Sequence, residues 1–237
     1  FSGKSRSMKI EVLEFAEGAR NARGLTVIID VFRAFSVECY AVDSGALKII
    51  ATGSVEEAFR LGKKYRNSVL VGERNERKIE GFDLGNSPTE ILQADLKDKV
   101  VIHSTTAGTN GLINAVNSDI VIAGSFVNAS AIARYIKAVN PETVSLVGMG
   151  YRATESADED ILCAEYIKAR IEDQDVDFTQ RISDLMLTSG KRFFLPENAG
   201  FSPPSDFFLC TIPDKFNFVL KATRRFDGNI DMEKIDV

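Results

Sequence analysis

The sequence of 237 residues contains no tryptophan, a single histidine and only three cysteines. Cys39, Cys163 and Cys210 are scattered, without a CxxC pair or the ligand spacing of a zinc site. Cys39 and Cys163 each lie in an apolar helical pattern, which is typical of small buried side chains. A sparse, odd number of cysteines suits a reducing compartment, so we expect a cytoplasmic protein.

Long apolar runs and basic clusters are also missing. No stretch approaches the ~20 apolar residues that span a bilayer, and no signal peptide is found. The net charge of −5 argues against binding to nucleic acid or to an anionic membrane surface. The motifs GxSxG, HExxH and GxGxxG are absent, which excludes the usual serine hydrolase, zinc protease and dinucleotide-binding signatures.

The chain is long enough to bury a sizeable core, and its composition is that of a globular protein. Residues 1–7 (FSGKSRS), before Met8, are expected to be a cloning remnant, and residues 8–237 to form the domain, in one body or in two lobes dividing near 97–125. Strands are predicted at 9–13, 26–30, 47–51, 68–71, 99–103, 120–123 and 144–147, and a final edge strand within FNFVLKAT. Helices are predicted at 34–44, 54–65, 87–96, 112–117, 128–139, 159–172 and 178–188. This alternation predicts an α/β fold with a mostly parallel sheet flanked by helices.

The stretch TVIIDVFRAFS (26–36) organises the chain. Its β-branched and aliphatic run predicts a strand buried on both faces, which ends at Asp30 and Arg33 and passes into a helix. A carboxylate at the end of a buried strand loses hydration without a guaranteed partner. Because ligands of open α/β sheets bind beyond the carboxyl ends of the strands, Asp30 and Arg33 are predicted to be functional.

Residues 26–44 align without a gap on residues 100–118, at an offset of 74, and the alignment continues when Gly45 is dropped. We interpret this as an internal duplication of a β-loop-α-β-α unit, although apolar strands also match by chance. If the copies are real, Asp30 and Ser104 hold equivalent places. Asp30 and Thr105 should then line one pocket, with charge from the first loop and N–H and hydroxyl donors from the second.

Three segments carry further candidate residues. The loop STTAGTNG, with Thr105, Thr106, Gly108 and Thr109, lies between a strand and a helix and could bind an anion or simply cap the helix. In the long loop 72–88, Arg74 could bind a phosphate or carboxylate, and Glu73 and Asp83 could ligate a hard cation or orient that arginine. The segment could also be a solvated loop. Acids open the helix at 158–160, where compensation of the helix dipole competes with a functional role. For His103, at a strand end, a structural hydrogen bond is favoured.

Taken together, IIDVFRAFS, VGERNERKIEGFDLGNSP, STTAGTNG, VIAGSFVNA and DEDILCAEYI resemble the 2-phosphosulfolactate phosphatases of coenzyme M biosynthesis over residues 8 to 220. The resemblance implies magnesium-dependent hydrolysis of a small anionic phosphate monoester, such as (2R)-2-phospho-3-sulfolactate to 3-sulfolactate and phosphate. It implies catalytic residues Asp30, Arg33, Glu73 and Arg74. The substrate-binding residues implied are Asn86, Ser87, Thr105, Thr106, Gly108, Thr109, Ser125 and Asn128, and the ligands of Mg²⁺ are Asp30, Asp83 and Asp160.

Two departures from the family pattern are present, Ala107 where an asparagine is usual and Glu165 where a small residue is frequent. The first could alter a substrate contact, and the second concerns packing. We expect a small-molecule phosphate ester as partner, no nucleic acid or membrane, and a homodimer as a possible assembly. A non-catalytic binding protein for a phosphorylated metabolite is the alternative. Asp30 could ligate magnesium, activate water or attack phosphorus.

Overall fold

The computed structural model describes residues 8–237, so the expectation for residues 1–7 lies outside the described part of the chain. The strands are β1 Lys9–Glu14, β2 Leu25–Ile29, β3 Lys48–Ala51, β4 Ser68–Arg74, β5 Arg77–Lys78, β6 Val100–Ser104, β7 Ile120–Gly124, β8 Thr143–Gly148, β9 Phe218–Arg224 and β10 Ile230–Asp236. The helices are α1 Phe15–Asn21, α2 Ala34–Asp43, α3 Val55–Lys64, α4 Pro88–Gln93, α5 Gly108–Asn114, α6 Ala129–Val139, α7 Asp158–Ile171, α8 Thr179–Asp184 and α9 Pro204–Cys210. Short 3₁₀ helices cover Phe126–Asn128, Leu185–Leu187, Ser189–Phe194 and Pro196–Asn198.

The ten strands form one sheet in the order β1-β8-β2-β7-β9-β10-β3-β6-β4-β5. One parallel block contains β1, β8, β2 and β7, and a second contains β3, β6 and β4. The predicted α/β fold with a mostly parallel sheet is therefore confirmed. The hairpin β9–β10 lies between the blocks and is antiparallel to its neighbours on both sides. Three successive antiparallel pairings reverse the strand direction from one block to the other.

The prediction that FNFVLKAT forms an edge strand is wrong. The strand exists as β9, but it lies in the middle of the sheet, between β7 and β10. Its first three residues are buried while its last four are partly or fully exposed. The exposed end has the polar character of an edge strand, although the backbone is paired on both sides.

The two segments of the predicted duplication exchange strands across the sheet. Strand β2 pairs with β7 and β6 pairs with β3, so each segment places one strand in each block. The pairing register agrees with the sequence alignment of the two segments. Thr26 pairs with Val121. The alignment equates Thr26 with Val100 and Val121 with Lys48, and Val100 and Lys48 also pair with each other. Two copies of one unit related by a twofold axis would give this pairing. The duplication and the two-lobe division both stay predictions.

Strand β2 is buried along its whole length because helices cover both faces of the sheet. Ile28 packs into the cluster that contains Phe35 and Leu112, whereas Val27 and Ile29 pack into the cluster of the opposite face. Each such aliphatic side chain contributes about 1.5–3 kcal/mol when fully buried. The helices thereby hold the end of β2, and the residues that follow it, in a fixed position.

Several element boundaries differ from the prediction. Helix α5 ends at Asn114 and α8 ends at Asp184, after which 3₁₀ turns replace the predicted helix up to Thr188. The sequence did not predict α1, α9 or β10. All three cysteines are free and buried, as expected for Cys39 and Cys163. In residues 8–237, no helix has the length and apolar character needed to cross a membrane.

Candidate active site

A pocket lies where β2, β4, β6 and β8 end, beyond the carboxyl ends of strands from both parallel blocks. The structure therefore brings the Asp30 loop and the 104–109 loop to one crevice, as the sequence predicted. Three carboxylates and three arginines line the pocket, which makes its charge balanced rather than simply basic. The lining residues are Asp30, Phe32, Arg33, Glu73, Glu76, Asn86, Thr106, Ala107, Gly150, Tyr151, Arg152 and Arg192.

Asp30 directly follows β2 and is 6% exposed. Its Oδ1 accepts a hydrogen bond of 3.2 Å from the backbone N–H of Ala34, which orients the carboxylate at the start of α2. Burial raises the pKa of Asp30 to about 7; the Ala34 hydrogen bond opposes this rise, and the charges of Glu73 and Glu159 add to it. A carboxyl group with this pKa can exchange a proton near neutral pH.

Gly108 is required by the close approach of the second loop to Asp30. A Cβ atom at position 108 would lie 2.7 Å from Ala34 Cβ and 2.9 Å from Asp30 Oδ2. No side chain fits there without a shift of the surrounding atoms. Gly108 therefore belongs to the site as a packing residue that lets α5 begin against the carboxylate.

Glu73 lies near the end of β4 and is held by three hydrogen bonds. The backbone N–H of Thr106 donates to Oε1 at 2.6 Å, and the Thr106 hydroxyl donates to Oε2 at 3.2 Å. The N–H of Glu76 also donates to Oε2, at 2.9 Å. Glu73 thus links the 72–88 loop to the 104–109 loop and keeps its carboxylate at the pocket.

Arg33 opens α2 and is 3% exposed. Its Nη1 donates to Asp206 Oδ2 at 2.8 Å and to the carbonyl of Phe201 at 2.7 Å, and its Nη2 donates to the carbonyl of Glu76 at 3.2 Å. A guanidinium has five N–H donors. Among the described residues, these contacts leave the Nε–H and one Nη2–H for a ligand.

Asp206 fixes Arg33 and was missed by the sequence analysis. It is fully buried, and its Oδ1 accepts hydrogen bonds from the Ser87 hydroxyl at 2.9 Å, from the Thr89 hydroxyl at 2.6 Å and from the Thr89 N–H at 3.0 Å. A buried carboxylate with so many donors stays compensated. Ser87 therefore acts behind the pocket, through Asp206, and its contact with substrate stays a prediction.

The far side of the pocket is closed by Glu76, Tyr151 and Arg192. Glu76 Oε1 lies 2.7 Å from Arg192 Nε, and Glu76 Oε2 accepts a hydrogen bond of 2.8 Å from the Tyr151 hydroxyl. Arg192 also stacks over the ring of Phe32. Arg152 is exposed and, within residues 8–237, forms no ion pair, only a contact with the face of the Tyr151 ring. Its charge is available to an anionic ligand.

Of the loop STTAGTNG, Thr106 and Ala107 reach the pocket. Thr105 and Thr109 are buried and bond to each other: Thr109 N–H donates to Thr105 Oγ1 and Thr105 N–H donates to Thr109 Oγ1, both at 3.1 Å. Both hydroxyls thus accept backbone N–H groups beside the start of α5, and the contact of Thr105 and Thr109 with substrate stays a prediction. The first-turn N–H groups of α5 have no partner within the helix and start at the pocket wall.

Two predicted metal ligands lie away from the pocket lining. Asp83 is exposed, and its Oδ2 accepts a hydrogen bond of 2.8 Å from Leu70 N–H, which anchors the 72–88 loop. Asp160 is buried, and its two oxygens accept from the N–H groups of Val31 and Gly150, each at 2.9 Å. Burial, with the charges of Glu159 and Asp30, raises the pKa of Asp160 well above its usual range. Asp160 ties the β2 and β8 loops together.

Arg74 also lies outside the pocket lining. Its guanidinium donates to Ser104 Oγ at 2.9 Å and to the carbonyl of Glu73 at 2.7 Å. These hydrogen bonds join the ends of β4 and β6, and the contact of Arg74 with substrate stays a prediction. Burial lowers the pKa of the guanidinium, partly offset by the charge of Glu73.

Ser125 and Asn128 are fully buried and also lie outside the pocket lining. The Ser125 N–H donates to Asn128 Oδ1 at 3.2 Å, and the hydroxyls of Ser125 and Ser36 lie 2.7 Å apart. These contacts close the turn after β7 and hold it against α2. Ser125 and Asn128 therefore have packing and capping roles, and their contact with substrate stays a prediction.

Asn86 is the one predicted substrate-binding residue of the 72–88 loop that lines the pocket. Its Oδ1 lies 3.1 Å from His103 Nε2, and His103 Nδ1 lies 2.8 Å from Glu38 Oε1. The structural hydrogen bond expected for His103 is present, and it leads to the pocket. Glu38, on α2, was not identified from the sequence.

The pocket residues that sequence reasoning missed come from segments without a motif. Arg192 lies in the 3₁₀ helix Ser189–Phe194, and Asp206, which holds Arg33 from behind the pocket, lies in α9; neither helix was predicted. Tyr151 and Arg152 follow β8, and a signal was available there, because a glycine-bearing loop after a parallel strand faces the same crevice as Asp30. Glu76 was one of many charged residues in the 72–88 loop.

Comparison with known proteins agrees with the site geometry. The model of the 2-phosphosulpholactate phosphatase family matches residues 13–193. A probable 2-phosphosulfolactate phosphatase of Clostridium beijerinckii is 35% identical over 187 residues, 77% of each chain. The protein of that name from Carboxydothermus hydrogenoformans is 42% identical over 168 residues, 70% of this chain and 69% of the relative. In Bacillus subtilis the identity is 32% over 209 residues, 87% of this chain and 89% of the relative. The chain belongs to the 2-phosphosulpholactate phosphatase family, a family of phosphoric monoester hydrolases.

Proposed function

We propose that this chain hydrolyses a small phosphate monoester that carries a second anionic group, in the manner of 2-phosphosulfolactate to 3-sulfolactate and phosphate. The observation that carries the proposal is the juxtaposition, in one pocket, of the buried carboxyl group of Asp30 with the donors of Arg33, Arg152 and Asn86. A pocket built only to bind an anion gains nothing from buried carboxylates beside it. The names of the relatives support this substrate class.

We further propose that Mg²⁺ is the cofactor, held by Asp30 and Glu73. Within residues 8–237, no group of three or more His, Cys, Asp or Glu is arranged to hold a metal ion. Mg²⁺ at phosphoryl-transfer sites uses one or two carboxylates and completes its shell with water and substrate oxygens, so two carboxylates suffice. The negative charge of Glu73 repels that of Asp30 and raises its pKa. A bound cation would relieve this repulsion. Bound there, Mg²⁺ supplies positive charge to the phosphate oxygens.

The chain's own residues then have separable tasks. Arg33, held in place by Asp206, donates its two remaining N–H groups to the phosphate. Asn86 adds a donor from the loop after β4, on the side of the second parallel block. Arg152 and Arg192 lie on the side of Tyr151, where the second anionic group would lie. Two roles fit Asp30, that of metal ligand and that of the base which takes a proton from the attacking water.

Substrate turnover tests the proposal. Release of inorganic phosphate is measured for purified protein with 2-phosphosulfolactate and with 2-phospholactate, which lacks the sulfonate, in Mg²⁺ and in EDTA. We expect turnover in Mg²⁺, a loss in EDTA that Mg²⁺ restores, and a higher kcat/KM for the sulfonated ester. Binding without release of phosphate in any divalent cation would favour the alternative, a binding protein for a phosphorylated metabolite.

A homodimer and a cytoplasmic location remain further predictions.

A further inference from the structure

A fully buried chain of side chains runs from α2 to the pocket. Glu38, on α2, and His103, on β6, both have no exposed surface, and Asn86 is 5% exposed. Glu38 Oε1 lies 2.8 Å from His103 Nδ1, and His103 Nε2 lies 3.1 Å from Asn86 Oδ1. The second carboxylate oxygen of Glu38 has no hydrogen-bond partner among the described residues. His103 is the only histidine of the sequence.

The contacts of this pair restrict where its protons lie. His103 Nε2 faces Asn86 Oδ1, which is a carbonyl oxygen and can only accept a hydrogen bond. A ring protonated only at Nδ1 would place a second acceptor, the Nε2 lone pair, 3.1 Å from that oxygen. The contact with Oδ1 therefore selects a ring that carries a proton on Nε2.

The contact between His103 and Asn86 orients the Asn86 amide. The Nε2–H donates to a carbonyl oxygen, so Asn86 presents Oδ1 to His103 and turns its amide nitrogen away from the ring. In the described residues, Asn86 has no other side-chain hydrogen bond, and it lines the pocket together with Arg33 and Thr106. The amide N–H₂ is then the group that faces a ligand.

We propose that Glu38 and His103 are positioning residues that hold the Asn86 side chain with its amide N–H₂ toward the pocket, as a hydrogen-bond donor to an anionic oxygen of the substrate. The inference rests on the proposed function, because it takes the occupant of the pocket to be an anion. An Asn86 turned the other way would point a carbonyl oxygen at that anion and repel it.

The single histidine makes the proton placement directly observable. In ¹⁵N-labelled protein, two-bond ¹H–¹⁵N correlations of the imidazole distinguish a protonated ring nitrogen from an unprotonated one without assignment of other residues. We expect Nε2 to be protonated in the free protein at neutral pH. A ring protonated only at Nδ1 would overturn the proposal. This readout does not depend on substrate or on turnover, so it separates the proposal from the proposed function.

Paired variants test whether the orientation acts on the ligand. Glutamine places its amide nitrogen near the position of an imidazole Nε2 and can still donate to Asn86, whereas leucine cannot. Both are made with Glu38→Gln, so that no buried carboxylate is left unpaired. We expect E38Q/H103Q to keep KM within about threefold of the parent, and E38Q/H103L to raise KM about tenfold or more, the scale of a lost hydrogen bond to a charged group.

Unfolding temperatures of the two double variants show whether the variants are equally stable. A structural role alone would change stability and leave KM the same in both. Equal KM values in variants of similar stability would refute the positioning role. Asn86→Asp, which replaces the donor by an acceptor, should lose inorganic phosphate binding measured by calorimetry, and unchanged binding would also refute it. If the parent neither hydrolyses phosphate esters nor binds phosphate, the proposed function fails instead.

Discussion

Replacing Asp30 by asparagine should abolish turnover and at the same time stabilise the metal-free protein. The asparagine side chain retains an oxygen that can accept the Ala34 N–H, so the local backbone keeps its anchor. What the change removes is a carboxyl group whose pKa burial raises from 3.8 to about 7. As a metal ligand or general base, Asp30 should be worth at least ~10²-fold in kcat.

The sign of the stability change follows from proton binding. Below about pH 4 the carboxyl group is protonated in both the folded and the unfolded states, and it imposes no penalty. As the pH rises from about 4 to about 7, the unfolded chain releases its proton first, so stability falls. Above about pH 7 the full penalty is about 3 pKa units, or about 4 kcal/mol at about 1.36 kcal/mol per unit, which is an upper bound because neighbouring groups relax.

Thermal unfolding in EDTA at about pH 5 and about pH 8 measures this difference. We expect Asp30→Asn to unfold several degrees above the parent at the higher pH, with a smaller gain at the lower pH, since about 1 kcal/mol corresponds to about 2–4 °C at this chain length. Adding Mg²⁺ should raise the unfolding temperature of the parent and not of the variant. Asp83→Asn is the matched control, because Asp83 is exposed and lies outside the pocket lining. An Asp30→Asn protein that keeps near-full activity, or gains no stability at the higher pH, would refute the reasoning.

Two further substitutions test the assembly of the pocket. Arg33→Lys keeps the charge but cannot reproduce the three hydrogen bonds of the planar guanidinium, so kcat/KM should fall at least ~10-fold. Arg74→Lys should change kcat/KM much less. Equal losses of kcat/KM in steady-state assays would contradict the roles assigned to the two arginines. Gly108→Ala forces a methyl group within 3 Å of Ala34 and Asp30, so both the unfolding temperature and kcat should drop. Gly200→Ala is the control, because the new Cβ meets no atom within 4 Å, and it should change neither quantity. Comparable stability of the two alanine variants would show that the close approach at Gly108 is not needed.

The sequence predicted the parts of the fold that local pattern determines. The β-branched run 26–29 has the composition of a buried strand, and an acid at its end has few structural reasons to be there, so β2 and Asp30 were both found. Glu73 and Asn86 were predicted as site residues because a long polar loop inside a compact domain is usually either functional or disordered.

The parts that depend on distant pairing were not predictable. The position of β9 in the centre of the sheet is decided by β7 and β10 on either side, and nothing within residues 218–224 records those partners. Ser125 and Asn128 have the composition of an anion-binding turn, yet they are fully buried and bond to protein groups. Polar residues beside a glycine predict a loop, but only the fold decides whether the loop faces a ligand.

The pocket arginines show the same limit. Arg152 and Arg192 are two of 29 lysines and arginines, and their importance lies in contacts with Tyr151 and Glu76 rather than in their own neighbours along the chain. Asp206 likewise becomes a key residue only because the fold brings it to Arg33 and Thr89.

The most direct test of the central claim is a crystal structure of the protein with Mg²⁺ and 3-sulfolactate plus inorganic phosphate, the two products of the proposed reaction. The account predicts that phosphate contacts Arg33 and the amide nitrogen of Asn86, that the cation contacts Asp30 and Glu73, and that the sulfonate lies toward Arg152. Product density elsewhere on the molecule, with this pocket holding only solvent, would contradict it.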